Sequence, residues 1–422
     1  MGVVITTEEY NGNVEILSSK SELHRLLMLS ALCVDGKETA IAFVGKPSKD
    51  VLATVDCMNI GGASIVQNGN VFYSTPINNR PLYPITVSCN ESGSTLRFLL
   101  PVFSALGKKY TVLVNGRLSS RPLSPMYELL TENGVTLSQN GVYPLSVHGK
   151  FIGGDLSIDG SVSSQFITGL LMALPLTENG GSITVTGDFQ SRPYVDITVG
   201  AMKAFGVDVQ VVGNKHIVPK ADYVCPGDIN AGGDWSNAAF FLVAGAIGGK
   251  VTVKGLDKDS KQGDKAIVEI LKAFGADVTF DENGLTVSKS DLIGIDVDAK
   301  DIPDMVPALC VLASVAKGTT RIYNAQRLRI KESDRIKSVV EMINNLGGEA
   351  VETEDGMIIH GRKHLLGGIV SSFNDHRIAM SAAVASVVCK GSVTIQGADA
   401  VSKSYPEFYE KIKEIGSNVK EI

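Results

Sequence analysis

The amino-acid sequence predicts an α/β protein of two domains, each containing three copies of one α/β unit. Two observations lead to this prediction. The chain has 422 residues, of which 44% are hydrophobic, so it is too long for one ordinary core and apolar enough to build two. In addition, two short sequence patterns each recur six times with a period of about 70 residues.

The first pattern is an apolar helix end followed by a glycine and a short strand. A glycine at this place is typical of a helix end, because it adopts positive φ without steric cost. The intervals between successive glycines are 73, 72, 69, 72 and 69 residues. The glycines of this pattern are Gly61, Gly134, Gly206, Gly275, Gly347 and Gly416.

The second pattern is a glycine followed by a β-branched strand, and it recurs with the same period. The helix before each of these glycines is apolar on nearly every side, which is typical of a helix buried on all faces. The helix of the first pattern mixes charged and apolar positions and is expected to cover an outer face. The glycines of the second pattern are Gly36, Gly107, Gly181, Gly249, Gly318 and Gly391, and the predicted buried helices span residues 23–34, 95–106, 166–176, 238–247, 306–316 and 378–388.

Each predicted buried helix follows residues that are typical of helix N-caps. Parallel buried helices would direct several N-termini toward one surface, and a helix N-terminus attracts anions. We therefore expect an anion site in the cleft between the two halves, while Ser92 and Ser236 are interpreted as caps alone. The capping segments are residues 19–21, 91–94, 163–165, 234–236, 303–304 and 374–377, and the cations beside them are Lys20, Arg25, Arg97 and Arg377.

Further cations occur in predicted loops. Arg121 and Arg192 each precede a proline, which holds the backbone extended and lets the side chain project from the turn. In residues 327–331, arginine and lysine alternate with leucine and isoleucine, which predicts a half-buried strand with one cationic face. Such a face indicates an anionic ligand. Lys337, farther along, is expected to be solvated.

Several functional classes are excluded by missing motifs. The sequence has no dinucleotide-binding glycine motif, no phosphate loop, no zinc-protease motif and no serine-hydrolase elbow. The six cysteines are scattered singly, so we expect reduced thiols and no metal site. The many lysines and arginines with two acids among them suit electrostatic binding and proton transfer without an organic cofactor. The formal net charge of -6 disfavours nucleic acid and membrane surfaces. No charge-free stretch reaches the roughly 20 residues that span a bilayer, and no leader segment is recognised, so we expect a cytoplasmic protein.

Nine motifs along nearly the whole chain resemble those of the 5-enolpyruvylshikimate-3-phosphate synthase family, in the order in which that family has them. The resemblance implies two similar domains, each of three inverse α/β (βαβαββ) repeats around buried parallel helices, with the active site in the interdomain cleft. It implies an N-terminal domain of residues 14–228 and a C-terminal domain of residues 1–13 plus 229–422. The motifs are SKSELHR (19–25), ESGSTLR (91–97), SRP (120–122), SSQF (163–166), RPYVD (192–196), IPD (302–304), LRIKESDR (328–335), NDHR (374–377) and KSYP (403–406).

The resemblance also implies an activity and its substrates. Members of this family transfer the enolpyruvyl group of phosphoenolpyruvate to the 5-hydroxyl of shikimate 3-phosphate and release phosphate, a step of chorismate and aromatic amino-acid biosynthesis. The residues implied for shikimate 3-phosphate are Lys20, Ser21, Arg25, Ser163, Ser164, Gln165, Ser191, Tyr194, Asp304 and Lys331. The residues implied for phosphoenolpyruvate are Lys20, Gly93, Arg121, Gln165, Arg335, Arg377 and Lys403.

Three catalytic residues are implied in the same way. Asp304 would deprotonate the 5-hydroxyl, and Glu332 would deliver a proton to the methylene carbon before a tetrahedral intermediate forms. An exchange of roles among Glu332, Asp304 and Lys20 stays open. We expect the chain to act as a monomer on these small molecules.

Two other functions are alternatives. One is UDP-N-acetylglucosamine enolpyruvyl transfer, but that family has a cysteine in its active-site loop, and here no cysteine lies between Cys89 and Cys225. The other is a non-catalytic anion-binding scaffold, against which Asp304 and Glu332 argue. Arg327, where some family members carry asparagine, leaves open the response to glyphosate, the herbicide that targets this family. Ser94 and Phe98, where other family members carry threonine and proline, also leave open the response to glyphosate.

Overall fold

The computed structural model describes residues 1–78 and 84–422, and the chain forms two compact units. The N-terminal unit contains residues 18–44 and 49–231. The C-terminal unit contains residues 1–17, 45–48 and 232–422. The short segment 45–48 belongs to the C-terminal unit although the chain on both sides of it lies in the N-terminal unit. The repeat pattern in the sequence does not indicate this crossing.

The strands of the described residues form six sheets of four strands, three sheets in each unit. Short runs of valine, isoleucine and threonine favour these strands. In chain order the strands are β1 (Gly2–Thr7), β2 (Tyr10–Glu15), β3 (Thr39–Ala42), β4 (Ser64–Asn68), β5 (Val71–Thr75), β6 (Ile85–Ser88), β7 (Tyr110–Leu113), β8 (Val135–Leu137), β9 (Leu145–Gly149), β10 (Gly154–Asp159), β11 (Gly181–Thr186), β12 (Gln210–Val212), β13 (Lys215–Val218), β14 (Asp228–Asn230), β15 (Gly249–Lys254), β16 (Asp277–Asp281), β17 (Gly284–Ser288), β18 (Asp296–Asp298), β19 (Thr319–Tyr323), β20 (Glu349–Glu352), β21 (Met357–His360), β22 (Gly368–Ser371), β23 (Val393–Gln396) and β24 (Ser417–Glu421).

The helices alternate between buried and outer positions along the chain. The α-helices are α1 (Lys20–Ala31), α2 (Lys49–Ile60), α3 (Gly93–Ala105), α4 (Met126–Glu132), α5 (Ser164–Ala173), α6 (Arg192–Ala204), α7 (Trp235–Gly248), α8 (Ile267–Ala273), α9 (Val306–Ala313), α10 (Arg335–Asn345), α11 (His376–Ala385) and α12 (Phe408–Glu414). Short 3₁₀ helices span Gly116–Ser120, Leu174–Leu176, Gly263–Ala266, Gln326–Ile330, Ser386–Val388 and Ala398–Lys403.

Every sheet has one strand pattern, a parallel pair followed by two antiparallel pairs. In the N-terminal unit the sheet orders are β14-β3-β5-β4, β6-β7-β9-β8 and β10-β11-β13-β12. In the C-terminal unit they are β2-β15-β17-β16, β18-β19-β21-β20 and β22-β23-β1-β24. The first two strands of each order are parallel. A buried helix connects most of these parallel pairs, as a parallel connection requires, and an outer helix leads into the hairpin. The predicted βαβαββ repeat is therefore confirmed.

The six predicted buried helices are also confirmed, as α1, α3, α5, α7, α9 and α11. All 14 residues of α7 are buried. In the C-terminal unit α7, α9 and α11 contact one another, and they form the centre of that unit's hydrophobic core. Helices that are apolar on every side bury the most surface where other helices surround them. The buried position of these helices therefore follows from their apolar sequences.

The predicted caps hold for five of these helices and fail for α9. Side-chain oxygens of Ser19, Ser92, Ser163, Asp234 and Asp375 accept backbone N–H groups in the first turns of α1, α3, α5, α7 and α11. Helix α9 instead follows Met305, which makes no side-chain cap. Asp304 does not cap it, because the Asp304 carboxylate is bound to two arginines.

The predicted strand in residues 327–331 is wrong. Gln326–Ile330 is a 3₁₀ helix. Arg327 is buried, whereas Ile330 is 37% exposed, so the apolar and cationic positions do not segregate as an alternating strand would place them. Lys337 is exposed, as predicted. Among residues 1–78 and 84–422, no helix has both the length and the apolar character needed to cross a bilayer.

Candidate functional site

The predicted site residues lie mainly at the N-terminal ends of the buried helices and in the loops beside them. They fall into two sets, one in each unit, which we name by the unit. The N-terminal half-site consists of Lys20, Ser21, Arg25, Gly93, Arg121, Ser163, Ser164, Gln165, Ser191 and Tyr194. The C-terminal half-site consists of Asp304, Lys331, Glu332, Arg335, Arg377 and Lys403.

Lys20 is the first residue of α1 and forms a partly buried ion pair. Its Nζ lies 2.9 Å from Oδ2 of Asp50, and both side chains are largely covered. The Asp50 carbonyl oxygen also accepts a hydrogen bond from Thr95 Oγ1 at 3.4 Å. Asp50 is in the first turn of the outer helix α2 and Thr95 is in the first turn of α3, so the contacts of Asp50 connect the starts of α1, α2 and α3. The pairing holds the Lys20 ammonium at the helix ends.

Arg25 is buried one turn farther into α1 and is held on all sides. Its Nε donates to Thr198 Oγ1 (2.8 Å), and its Nη1 donates to the Ser21 carbonyl oxygen. Its Nη2 donates to the Tyr194 carbonyl oxygen (2.7 Å) and to Thr168 Oγ1 (3.3 Å). Burial lowers the pKa of Arg25 to about 10, so the side chain is still charged at neutral pH. Most of the N–H donors of Arg25 therefore bind other groups of the protein.

Gly93 begins α3 between two guanidinium groups. A Cβ atom placed on Gly93 would lie 2.7 Å from Nη1 of Arg97 and 2.7 Å from Nη1 of Arg121. Such a distance is well inside van der Waals contact, so only glycine lets both cations approach the start of the helix. The backbone N–H groups of this helix start and the two guanidinium groups together form a cationic surface.

Gln165 joins this surface from the start of α5. Its Oε1 accepts a hydrogen bond from Arg97 Nη1 (2.8 Å), and its Nε2 donates to Ser94 Oγ (2.9 Å). The Ser163 side chain caps α5 by accepting from the Gln165 backbone N–H (3.3 Å). The starts of α3 and α5 are thus connected through side chains.

Ser191 and Tyr194 lie at the start of α6. Ser191 is buried and has left-handed backbone angles (φ 54°, ψ 40°), which are uncommon for a residue with a side chain. Backbone strain of this kind is often found at functional sites. Tyr194 belongs to the N-terminal half-site by its carbonyl contact with Arg25.

Arg335 is the centre of the C-terminal half-site because one guanidinium group binds three carboxylates. Its Nη1 lies 2.8 Å from Asp304 Oδ1, its Nη2 lies 2.7 Å from Glu332 Oε2, and its Nε lies 2.8 Å from Asp375 Oδ2. Asp375 also accepts from Ser333 Oγ (3.0 Å). Arg335 and Asp375 are almost fully buried, whereas Asp304 and Glu332 are 24% and 22% exposed. The two partly exposed acids are therefore the ones that a ligand can reach.

Arg377 holds the same cluster from the start of α11. Its Nη2 donates to Ser236 Oγ (2.7 Å) and lies 3.5 Å from Asp304 Oδ2. Its Nη1 donates to the Ser236 carbonyl oxygen (3.0 Å). The interpretation of Ser236 as a helix cap alone is therefore wrong. Its hydroxyl donates to Asp234 Oδ1 and accepts from Arg377. Asp234 alone caps α7.

The electrostatics of this cluster keep Asp304 ionised. Burial alone would raise the pKa of Asp304, but Arg377, Lys331 and Arg335 outweigh burial and hold its pKa well below the usual range. Lys331 shows the opposite balance. Burial, with Arg327 and Arg335 nearby, lowers the pKa of Lys331 to about 7 against the attraction of Asp304. Lys331 can therefore gain or lose a proton at neutral pH.

Lys403 is the last residue of the 3₁₀ helix Ala398–Lys403. Its side chain is buried, and its Nζ donates to the Asn374 carbonyl oxygen at 2.6 Å. Asn374 has a left-handed φ of 55°, which turns its carbonyl toward Lys403. Because Asn374 directly precedes Asp375, this bond places a further ammonium group beside the cluster around Arg335.

Three residues that order the half-sites were not among the predicted site residues. Asp50 holds Lys20, Arg97 holds Gln165, and Asp375 holds Arg335. Arg97 was predicted only as a cation beside a helix cap, although it lies four residues after Gly93 on one face of α3. Asp375 belongs to the NDHR motif. Asp50 carries no sequence signal, because 30 residues separate it from its partner.

Each half-site offers a defined chemistry. Guanidinium and ammonium groups with helix N-termini bind phosphate and carboxylate groups. Asp304 and Glu332 can exchange protons with a bound molecule.

Comparison with known proteins gives consistent results. Residues 4–412 match the family model described as EPSP synthase (3-phosphoshikimate 1-carboxyvinyltransferase). A 3-phosphoshikimate 1-carboxyvinyltransferase of Clostridium kluyveri is 40% identical over 99% of this chain and 98% of its own length. One of Methanocorpusculum labreanum is 36% identical over the full length of both chains. A solved EPSP synthase of Acinetobacter baumannii superposes with a TM-score of 0.81 at 28% identity, covering both chains fully.

Proposed function

Because the chain belongs to the EPSP synthase family, we propose that it transfers the enolpyruvyl group of phosphoenolpyruvate to the 5-hydroxyl of shikimate 3-phosphate and releases phosphate. The observation that carries this proposal most directly is the cluster around Arg335. There, two accessible carboxylates, Asp304 and Glu332, are bound to one buried guanidinium group. Such an arrangement supplies proton transfer and anion binding within one set of contacts.

The proposal assigns the binding of shikimate 3-phosphate to residues of both units. The ligands in the N-terminal half-site are serine hydroxyls, amide and guanidinium groups, which suit a phosphate and a hydroxylated ring. In the C-terminal half-site Asp304 accepts from the 5-hydroxyl and Lys331 binds an oxygen of the substrate. The N-terminal residues so assigned are Lys20, Ser21, Arg25, Ser163, Ser164, Gln165, Ser191 and Tyr194.

Phosphoenolpyruvate carries a phosphate and a carboxylate, and the proposal assigns both to cations. Planar guanidinium groups match the geometry of these oxygens. The residues so assigned are Lys20, Gly93, Arg121, Gln165, Arg335, Arg377 and Lys403.

The proposed reaction proceeds by addition and elimination. Glu332 gives a proton to the methylene carbon of phosphoenolpyruvate, and the 5-hydroxyl oxygen bonds to the adjacent cationic carbon as Asp304 takes the hydroxyl proton. The Glu332 carboxylate then takes a proton back from the new methyl group of the tetrahedral adduct, the carbon–carbon double bond forms again, and the bond to phosphate breaks. Asp304 is a weak base while three cations surround it. An anionic substrate on Arg335 and Arg377 would raise its pKa and strengthen it as a base.

An assay with two acceptors tests this function. Purified protein with phosphoenolpyruvate is expected to release phosphate and form a carboxyvinyl ether when shikimate 3-phosphate is present, and not with UDP-N-acetylglucosamine. Phosphate release with the nucleotide sugar would favour the other enolpyruvyl transferase. Binding of both shikimate-pathway substrates without turnover would favour an anion-binding scaffold.

Gly93→Ala is expected to weaken phosphoenolpyruvate binding and leave shikimate 3-phosphate binding nearly unchanged. The added methyl group must displace the guanidinium groups of Arg97 and Arg121. We expect the KM for phosphoenolpyruvate to rise about tenfold, which corresponds to the loss of one charged hydrogen bond. Steady-state kinetics with each substrate varied in turn measure this. Gly200→Ala, in α6 with no atom near the added Cβ, is the matched control. An unchanged KM for Gly93→Ala would remove Arg121 from the phosphoenolpyruvate contacts.

Shikimate 3-phosphate is expected to bind more weakly as the pH rises above about 7. In the free protein the lowered pKa of Lys331 is about 7, so this group becomes neutral as the pH rises, whereas the bound phosphate ester favours its charged form. Binding above pH 7 therefore takes up a proton. The phosphate, with a second pKa of about 6, stays a dianion between pH 7 and 9. Calorimetric titration over this range measures the dependence.

Lys331→Arg provides the control for this pH effect. The guanidinium group stays charged across the range, so the affinity of the variant should not change between pH 7 and 9. An equal pH dependence in both proteins would show that Lys331 is not the titrating group.

We also propose that the chain acts as a monomer in the cytoplasm and binds neither nucleic acid nor membranes. The six cysteines are free thiols, as is usual in a reducing compartment. The net charge of -6 disfavours polyanionic surfaces.

A further inference from the structure

The C-terminal unit contains a large cationic pocket away from the residues discussed above. Its volume is about 1080 Å³, and its lining includes Lys289, Lys317, Lys363 and Lys390, which we call the lysine pocket. Arg362 and His364 also line it, and Asp291 is the one acid among its lining residues. This excess of positive charge occurs in a chain whose net charge is -6.

The lysine pocket lies at the opposite ends of the helices that begin at the C-terminal half-site. Its floor includes Ile247 of α7, Val315 just after α9, and Val388 just after α11. The residues of the C-terminal half-site lie near the starts of α9 and α11. At about 1.5 Å per helical residue, a separation of roughly 15–20 Å follows. The lysine pocket is therefore a distinct place in the fold.

Lysines at helix C-termini often serve only to satisfy the last carbonyl groups and the negative end of the helix dipole. Here backbone N–H groups already bind those carbonyls. Ala246 O accepts from Ser290 N (3.3 Å), and Val388 O accepts from Leu365 N (2.8 Å). Ser314 O likewise accepts from Arg362 N (2.8 Å). Three helix ends carry roughly -1.5 charges together, which is less than the cationic charge of the lining.

Among residues 1–78 and 84–422, the four lysines form no ion pair with an acidic side chain. Arg362 pairs with Glu349 (2.6 Å), but in the part of the chain that the structure describes no ion pair reaches Lys289, Lys317, Lys363 or Lys390. All four side chains are exposed at the rim, so they are available to a ligand. Like charges that line one pocket repel one another until an anion binds.

The N-terminal unit shows that the repeat itself does not require such a pocket. In the C-terminal unit the backbone N–H of Arg362 donates to the Ser314 carbonyl oxygen. At the equivalent place in the N-terminal unit, the backbone N–H of Phe151 donates to the Ser104 carbonyl oxygen (3.1 Å), and Phe151 is fully buried. The bridge between Cys33 and Tyr223 is the equivalent of the bridge between Ile293 and Lys317. Tyr223 is also fully buried, and its hydroxyl donates to Met172 O (2.9 Å). Buried aromatic side chains thus occupy the places that the exposed residues Arg362 and Ile293 have in the C-terminal unit.

From these observations we propose that the lysine pocket binds a small organic polyanion. Its phosphate or carboxylate groups contact the lysines at the rim, and its apolar part rests on Leu292, Val315 and Val388. A ligand bound there contacts the ends of the same helices whose starts hold Asp304 and Arg377. The lysine pocket is thus placed to bind a metabolite independently of the substrates.

Calorimetric titration with two probes tests the proposal. ADP combines a polyanion with an apolar ring, and inorganic pyrophosphate is a polyanion alone. The titrations are made with the free protein and are repeated with saturating shikimate 3-phosphate or with saturating phosphoenolpyruvate, each of which occupies its proposed contacts. We expect one ADP to bind per chain, more tightly than pyrophosphate. The triple variant Lys317→Gln/Lys363→Gln/Lys390→Gln is expected to bind ADP about tenfold more weakly, since each exposed charge pair contributes modestly.

The matched control is Lys254→Gln/Lys413→Gln/Lys420→Gln, which removes the same charge from exposed lysines elsewhere in the C-terminal unit. It should bind ADP as the unmodified protein does. Thermal unfolding confirms that both variants are folded, since all six side chains are exposed. Three results overturn the proposal: no binding of either probe, equal affinity in the two triple variants, or a loss of ADP binding when either substrate is present.

Discussion

Glu332→Gln is expected to abolish most turnover while shikimate 3-phosphate still binds. Glutamine has the same shape and keeps an oxygen that can accept from Arg335 Nη2, the 2.7 Å contact of Glu332. It cannot donate a carboxylic proton to the methylene carbon. Proton transfer by a placed side chain contributes about 10²–10⁴-fold to a rate, so kcat is expected to fall by about that factor. Discontinuous assays of phosphate release measure kcat, and calorimetric titration measures the affinity for shikimate 3-phosphate.

Glu352→Gln is the matched control for this loss. Glu352 also pairs with an arginine of the C-terminal unit, Arg329, at 3.0 Å, but the pair lies at the surface. The control should turn over at the normal rate. If kcat of Glu332→Gln stays within threefold of that of the control, Glu332 has no part in proton transfer.

Arg335→Met is expected to lower both stability and activity. The substitution leaves Asp375, which is fully buried, without its ion pair. Removing one partner of a buried ion pair costs about 3–5 kcal/mol of folding free energy. The lost contacts to substrate and to Asp304 and Glu332 should lower kcat/KM for phosphoenolpyruvate by about 10²–10³-fold. Urea unfolding and steady-state kinetics measure the two effects.

A second substitution separates these effects. Adding Asp375→Asn to Arg335→Met removes the unpaired charge while keeping an oxygen that caps α11. Stability should return in part, and activity should stay low. The surface control Arg362→Met loses an exposed pair with Glu349 and should change stability by less than about 1 kcal/mol. Equal stability losses in Arg335→Met and Arg362→Met would contradict the role given to Arg335.

The repeat architecture was predictable because it leaves two independent periodic marks in the sequence. A helix buried on every side, such as α7, must be apolar throughout, and a glycine must follow where the chain reverses. The membership of β1 and β2 in sheets of the C-terminal unit is harder to predict from sequence, because it depends only on their pairing with strands in residues 249–421. The segment 45–48 is invisible in the sequence for the same reason.

Local patterns misled where a tertiary contact was stronger. Asp304 follows a proline before an apolar helix, which is typical of a cap, but two arginines bind its carboxylate more strongly than a backbone N–H would. Alternation in residues 327–331 resembled a strand, although the short run folds as a 3₁₀ helix with Arg327 turned inward. Such outcomes depend on partners that are distant in sequence, such as Asp375 for Arg335.

The central claim is that residues of both units bind the same two substrates. The most direct measurement is a crystal structure of Glu332→Gln grown with shikimate 3-phosphate and phosphoenolpyruvate. We predict one shikimate 3-phosphate in contact with Ser164 and Lys331, and one phosphoenolpyruvate in contact with Arg121 and Arg335. Substrates that contact residues of one unit alone would contradict the claim.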